Sequence, residues 1–170
     1  MITLRTLATA FITNSNRILL MKRNKERKFA PGIWAAVGGH LEPDELNTPR
    51  TACWREIHEE IGLSEDDLHY LDLKYIILRK SNLEIRIQYV FFGKTDQVKT
   101  KQTEEGKLYW IEESELFNRE MTYTTKMTLK HYIENRKWLK KIIVGVVDEC
   151  NGSPVMNWNC IEDWGTESLI

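Results

Sequence analysis

Glu56, Glu59 and Glu60 stand at positions i, i+3 and i+4, a spacing that on a helix brings three carboxylates to one face. Nothing in that spacing supplies a partner charge for all three. Like charges on adjacent turns repel by about a few tenths of a kcal/mol per exposed pair, and by more when partly buried. Two readings follow. The three are either a solvated helix face or an all-oxygen site for a hard divalent cation, Mg²⁺ with Mn²⁺ as the alternative, which keeps waters for substrate phosphates. Just upstream, Gly38-Gly39 allows backbone conformations and close approaches that other residues resist.

A helix must hold the glutamates, and its signals are present. Thr48 is placed as N-cap and Pro49 as first helical residue; Cys53, Ile57 and Ile61 recur every four residues beside Trp54, and Gly62 stops the helix. Ahead of it, Leu4 to Thr13 and Arg17 to Lys22 read as a hairpin around Asn14-Ser15-Asn16, and Ile33 to Val37 as a short apolar piece ended by Gly38-Gly39. Beyond it, Leu68 to Arg79 and Leu83 to Phe92 read as two strands around Lys80-Ser81-Asn82. Lys107 to Glu112 carries a further strand, Thr124 to Lys140 a second helix, and Ile142 to Val147 with Pro154 to Trp158 a closing pair about Asn151-Gly152. The expected class is α/β (α+β), a mixed sheet with two sizeable helices.

The 170 residues carry 24 Lys+Arg against 25 Asp+Glu, a net charge of −1, with 42% hydrophobic and 10% aromatic residues. That is enough apolar material for one core, and no repeat or Pro/Gly/Ser linker divides the chain, so one domain over residues 1–170 is expected. The balance is uneven, because Glu42 to Glu60 holds six carboxylates against Arg50 and Arg55. Charge of this size gives no reason to expect nucleic-acid or anionic-membrane binding. No apolar run approaches the roughly 18 residues that span a bilayer, and the start lacks a signal-peptide core, so a cytoplasmic location is expected. Cys53, Cys150 and Cys160 form no metal-ligand spacing and read as reduced thiols, with zinc or a Cys150–Cys160 disulfide as alternatives.

The segments Gly38 to Glu45 and Arg55 to Leu63 together resemble the signature of the Nudix hydrolase family. Gly39, Glu45, Arg55, Glu56, Ile57, Glu59, Glu60, Gly62 and Leu63 meet its fixed positions over residues 39–63. One departure is visible. Nine residues separate Glu45 from Arg55 where the family has seven, and the two extra residues are assigned to Leu46-Asn47-Thr48. Arg17 to Lys22, Pro31 to Trp34, and Gly106 to Ile111 with Glu113 and Leu116 are similar to the same stations in MutT-like members. The resemblance implies an α/β/α sandwich around a mixed sheet, over roughly residues 3–117.

It also implies a reaction: attack of water on a phosphorus of a pyrophosphate bridge in a nucleoside diphosphate derivative. By position, Glu56, Glu59 and Glu60 become metal ligands with the Gly38 carbonyl, Glu105 a further ligand with Glu104 as runner-up, and Glu56 the first choice of base. Arg55 pairs with a loop carboxylate, here Glu45, its alternative being a simple surface charge. Lys22 or Arg23, from the basic run Lys22 to Lys28, could meet substrate phosphates. Trp34, just ahead of Gly38-Gly39, is either a base-stacking group or core, and Gly39 is counted with it toward substrate binding. His40 and His58 are assigned no catalytic role; Trp138, Trp158 and Trp164 are read as packing groups, with a pocket or homodimer role as the alternative. The implied substrates are a house-cleaning target such as 8-oxo-dGTP, or else ADP-ribose or dinucleoside polyphosphates. A nucleotide-sensing domain without catalysis and removal of RNA 5′ pyrophosphate are the competing functions.

Overall fold

The computed structural model describes residues 1–26, 31–99 and 105–162, so Arg27, Lys28, Glu104 and Trp164 lie outside the described residues. In chain order the elements are β1 (Thr3–Asn14), β2 (Arg17–Arg23), β3 (Trp34–Ala35), β4 (Val37–His40), α1 (Pro49–Ile61), β5 (Leu68–Ser81), β6 (Glu84–Thr95), β7 (Gly106–Glu112), α2 (Tyr123–Asn135), β8 (Ile143–Cys150) and β9 (Ser153–Cys160). The strands join in one mixed sheet of order β3-β2-β1-β6-β5-β8-β9, with β4 added on β1 and β7 on β2. The β1–β6 and β5–β8 pairs are parallel.

Alternation along β1 explains the two cores. Ala8, Ala10 and Ile12 face one way and meet Ala52, Cys53, Ile57 and Ile61 of α1, together with Val37 and Phe91. Phe11 faces the other way and joins Tyr75, Val90 and Phe92 against Leu129 and Tyr132 of α2. The rings of Phe92 and Tyr132 stack there with centroids 3.6 Å apart. Each fully buried Ile or Leu adds roughly 2 kcal/mol of hydrophobic stabilisation. Helices thus cover both faces of a mixed sheet, which is the α/β/α arrangement the sequence implied.

Three element readings need correction. The pair Gly38-Gly39 does not end a strand but lies inside β4, opposite Thr9 and Ala8 of β1. The turn after β5 falls at Asn82-Leu83, with Asn82 in the left-handed region at φ 53°. The second helix starts at Tyr123, where Thr122 Oγ1 accepts the Thr125 N–H as N-cap, and stops at Asn135 rather than Lys140. Two side chains account for the early stop: Asn135 Nδ2 donates to the His131 carbonyl, competing with the helix's own bonding, and Arg136 pairs with Glu113. Trp138, beyond the stop, is 82% exposed and so is not a packing group. Trp158 does pack, 5.5 Å from the Tyr75 ring.

All three cysteines are free thiols, and Cys150 and Cys160 sit opposite Ser153 and Ile143, at opposite ends of the β8–β9 ladder. Burial pushes the Cys53 thiol far above its ordinary range, leaving it a neutral packing group. Among the described residues, no helix is long and apolar enough to cross a membrane.

Candidate active site

The centre of the site is where the N-terminal half of β4 meets α1. Gly38 holds φ at +135°, and a Cβ on it would lie 2.2 Å from the Ala8 carbonyl oxygen, so only glycine fits. Its N–H donates to Glu60 Oε2 at 2.8 Å. A Cβ on Gly39 would lie 2.5 Å from Glu56 Oε1, so this second glycine leaves room for a carboxylate. The glycine pair therefore lets two acidic side chains of α1 reach the sheet.

Those carboxylates are not relaxed solvent groups. Glu60 is buried; loss of hydration raises its carboxyl first, the negative charges of Glu56 and Glu105 raise it further, and the Gly38 N–H opposes them, leaving it pushed up to about 8. Glu56 is raised as well, chiefly by burial, against the opposing effect of Arg55. Arg23 faces the same acidic set and partly offsets the charge on Glu60, while its own Nε is buried with no hydrogen-bond partner among the described residues.

Arg55 organises the acidic turn. Its Nε and Nη2 each donate to Glu45 at 2.9 Å, its Nη1 donates to Glu56 at 2.8 Å and Glu59 at 3.4 Å, and Nη2 also reaches the His40 carbonyl at 3.1 Å. The bidentate pair holds the Glu45 carboxyl below its ordinary range, the Arg55 hydrogen bond being the main cause. The two extra loop residues leave this pair intact. Pro43–Glu45 form a short 3-10 turn in which Glu42 and Glu45 exchange hydrogen bonds between N–H groups and acceptor oxygens, and the lengthened segment runs out into solvent at Leu46.

A cavity of about 520 Å³ opens beside these groups, lined at one end by Gly38, Gly39, Glu56, Glu60, Glu105 and Arg23. Glu59 lies on the outer side of α1 with its side chain 59% exposed. Lys22 projects from the opposite face of β2 to Arg23 and sits over the Trp34 ring, 5.6 Å from its centroid. Trp34 is partly buried against the α2-side core, with Arg119 5.3 Å from its ring. Among the described residues, no three Asp, Glu, His or Cys side chains already stand close enough to enclose a cation.

The far end of the cavity is built from residues that sequence reasoning passed over: Arg5, Arg79, Arg86 and Gln88, with Thr122, Thr124 and Thr125 along a side wall. A signal existed for two of them. Arg79 and Arg86 are equidistant from the β5–β6 turn and pair directly, as a tight hairpin requires. Arg5 reaches them only through the parallel β1–β6 pairing, which local sequence does not encode.

A model of the NUDIX domain matches residues 3–142. The nucleoside triphosphatase NudI of Enterobacter sp. (strain 638) is 35% identical over 94 residues, 55% of this chain and 61% of the relative, so the chain spans about three-fifths of that protein's length. NudI of Escherichia coli O1:K1 / APEC is 30% identical over 138 residues, 74% of this chain and 94% of that protein. The crystal structure of the MutT protein from Bacillus halodurans superposes with a TM-score of 0.69 at 19% identity, covering 92% of this chain and 97% of that one, a likeness of fold. With a family match over residues 3–142 and a relative 30% identical over most of its length, the chain belongs to the NUDIX domain family.

Proposed function

We propose that this chain hydrolyses the pyrophosphate linkage of a nucleoside diphosphate derivative in a reaction dependent on a divalent cation. The observation that carries this reading is the pairing of Glu56 and Glu60 on the wall of one cavity, the first held by Arg55 and the second by the Gly38 N–H. Nudix hydrolases generally use a divalent metal, and the residues present fit one. Glu60 is a carboxylate pushed up to about 8, first by burial and then by the charges of Glu56 and Glu105, and those two side chains add hard oxygen donors beside it. Glu56, Glu60 and Glu105 with the Gly38 carbonyl would hold the ion, and Glu59 would join by turning inward from its exposed position. Mg²⁺ is the first ion to test and Mn²⁺ the second. Such an ion supplies charge neutralisation at the phosphates and a bound water of lowered pKa.

The chain's own groups divide the remaining work. Glu56 accepts the proton of the attacking water, and Arg55 fixes the orientation of that carboxylate through Nη1 while Glu45 holds the guanidinium in place. Arg23 meets the substrate's phosphate charge from β2, and the glycine backbone of β4 lets the pyrophosphate approach. The NudI relatives are named nucleoside triphosphatases, which puts nucleoside triphosphates, oxidised dGTP included, first among substrates; ADP-ribose and dinucleoside polyphosphates follow. The enzyme is read as a single cytoplasmic domain. The test is kcat/KM over that panel with Mg²⁺, Mn²⁺ or a chelator present. Release of phosphate or pyrophosphate that stops on chelation is the expected result, and binding of nucleotides without turnover of any panel member would replace the hydrolase with a sensor.

A further inference from the structure

The end of the cavity remote from Glu56 and Glu60 carries an arrangement that the hydrolytic chemistry does not use. Arg5, Arg86 and Arg79 stand directly abreast on the neighbouring strands β1, β6 and β5, with Arg5 opposite Arg86 and Arg86 opposite Arg79. Adjacent strands lie about 4.8 Å apart, and like charges placed directly opposite destabilise a sheet. One carboxylate sits among them: Glu84 pairs with both Arg5 and Arg86. Glu42, an exposed residue, also lines the cavity. Burial first and the Arg86 charge second lower the Arg79 pKa, against the opposing charge of Glu84. His40 lines the same end, its Nε2 3.5 Å from Arg5 Nη1. The three guanidiniums outnumber the Glu84 and Glu42 carboxylates, so a net positive charge faces a half-buried cavity, alongside the amide of Gln88.

Strand geometry gives the separation. Gly38 pairs with Thr9, which lies four residues along β1 from Arg5, or roughly 13 Å at the rise of a β-strand. A pyrophosphate at the carboxylate end leaves the rest of a nucleotide to reach the arginine row. We propose that Arg5, Arg79 and Arg86 form a second anion-binding subsite, which selects substrates bearing a phosphate monoester or a carboxylate on the part of the molecule remote from the scissile linkage. This inference rests on the hydrolase reading and narrows it, because guanidinium groups at fixed spacing recognise the planar or tetrahedral oxygens of such anions better than neutral sugar or base edges.

The test uses two matched pairs: ADP-ribose against its 2′-phosphate, and UDP-glucose against UDP-glucuronate. Dissociation constants are measured calorimetrically with EDTA present, so that no turnover intervenes and the common pyrophosphate contribution cancels within a pair. The charged member of at least one pair should bind about tenfold more tightly, as expected when a charge-assisted contact is added; the first pair reports a phosphate and the second a carboxylate. That ratio should collapse toward one in Arg79→Gln, and also in Arg5→Gln, whose partly exposed site keeps the test intact if the first variant fails to fold. Equal affinity within both pairs, or no binding of any member, overturns the subsite. Hydrolysis of the same compounds with Mg²⁺ is read separately. A binding preference without hydrolysis of these compounds or of any nucleotide in the panel above removes the hydrolase reading and leaves the subsite standing, whereas hydrolysis without preference does the reverse.

Discussion

The Arg55 guanidinium grips the Glu45 carboxylate with two parallel hydrogen bonds, Nε to Oε1 and Nη2 to Oε2, both 2.9 Å. Nine residues and a loop turn separate the partners, and Glu45 is 7% exposed, so the pair fixes the loop to α1 rather than decorating the surface. Glu45→Gln should cost about 2 kcal/mol of stability near neutral pH, the usual scale for stranding part of a buried charged hydrogen bond. The pH dependence has a definite sign. Because Arg55 lowers the folded-state pKa of Glu45, its contribution is complete above the carboxyl's ordinary value near 4.5 and fades as pH falls through the lower folded value. Urea unfolding of both proteins from pH 7 down to pH 3 should show the gap narrowing below about pH 4.5; a gap that widens on acidification contradicts the assignment.

Gly38 and Gly39 are adjacent in sequence yet should fail in different ways. A methyl group on Gly38 meets backbone at 2.2 Å with φ at +135°, so Gly38→Ala should be destabilised by about 3 kcal/mol. On Gly39 the obstacle is the Glu56 carboxylate, a movable side-chain end. Gly39→Ala should therefore melt within a few degrees of the parent while losing about 10²-fold in turnover, because Glu56 is displaced from the cavity wall. Paired melting curves and kinetic assays separate the two; equal thermal losses in both variants would show that Gly39 serves the fold alone.

Glu60→Gln keeps the shape of the buried side chain and its Gly38 contact but removes the charge. Turnover with saturating nucleotide and Mg²⁺ should fall at least about 10²-fold. The metal-free variant should meanwhile be no less stable than the parent at pH 8, since a buried, unneutralised carboxylate has been replaced by a neutral amide. Near-parental turnover would detach Glu60 from the metal role.

Much of this site could be read from the chain because its parts lie within 25 or so residues of one another and obey helical spacing. The Cys53, Ile57 and Ile61 stripe predicted α1, and the structure places it over Pro49–Ile61 with Gly62 at the left-handed cap. The glycine pair was legible as a place of close approach but not as part of a strand, because its partners on β1, Ala8 and Thr9, lie about thirty residues earlier. Lys22 and Arg23 show the same limit: equal in charge and adjacent, they are sent to opposite faces by the period-two alternation of β2, so that Arg23 alone of the two lines the cavity. The arginine row was hidden for a topological reason, since it exists only where β1 pairs in parallel with β6.

Arg23 offers the sharpest remaining test, because its two electrostatic effects have opposite signs. It lines the cavity with Glu56, Glu60 and Glu105, its charge lowers the pKa of Glu60, and its Nε has no hydrogen-bond partner among the described residues. As a phosphate-facing cation it favours substrate; as a like charge beside the carboxylates it opposes a divalent cation. Arg23→Met keeps the apolar stem and removes the charge. It should lower kcat/KM by about tenfold and also lower the Mg²⁺ concentration that gives half-maximal activity. A structural role alone would move neither the metal dependence nor the KM in these directions, so activity titrated against Mg²⁺ at several nucleotide concentrations decides the matter. Weaker metal dependence of the parent relative to the variant would reverse the assignment.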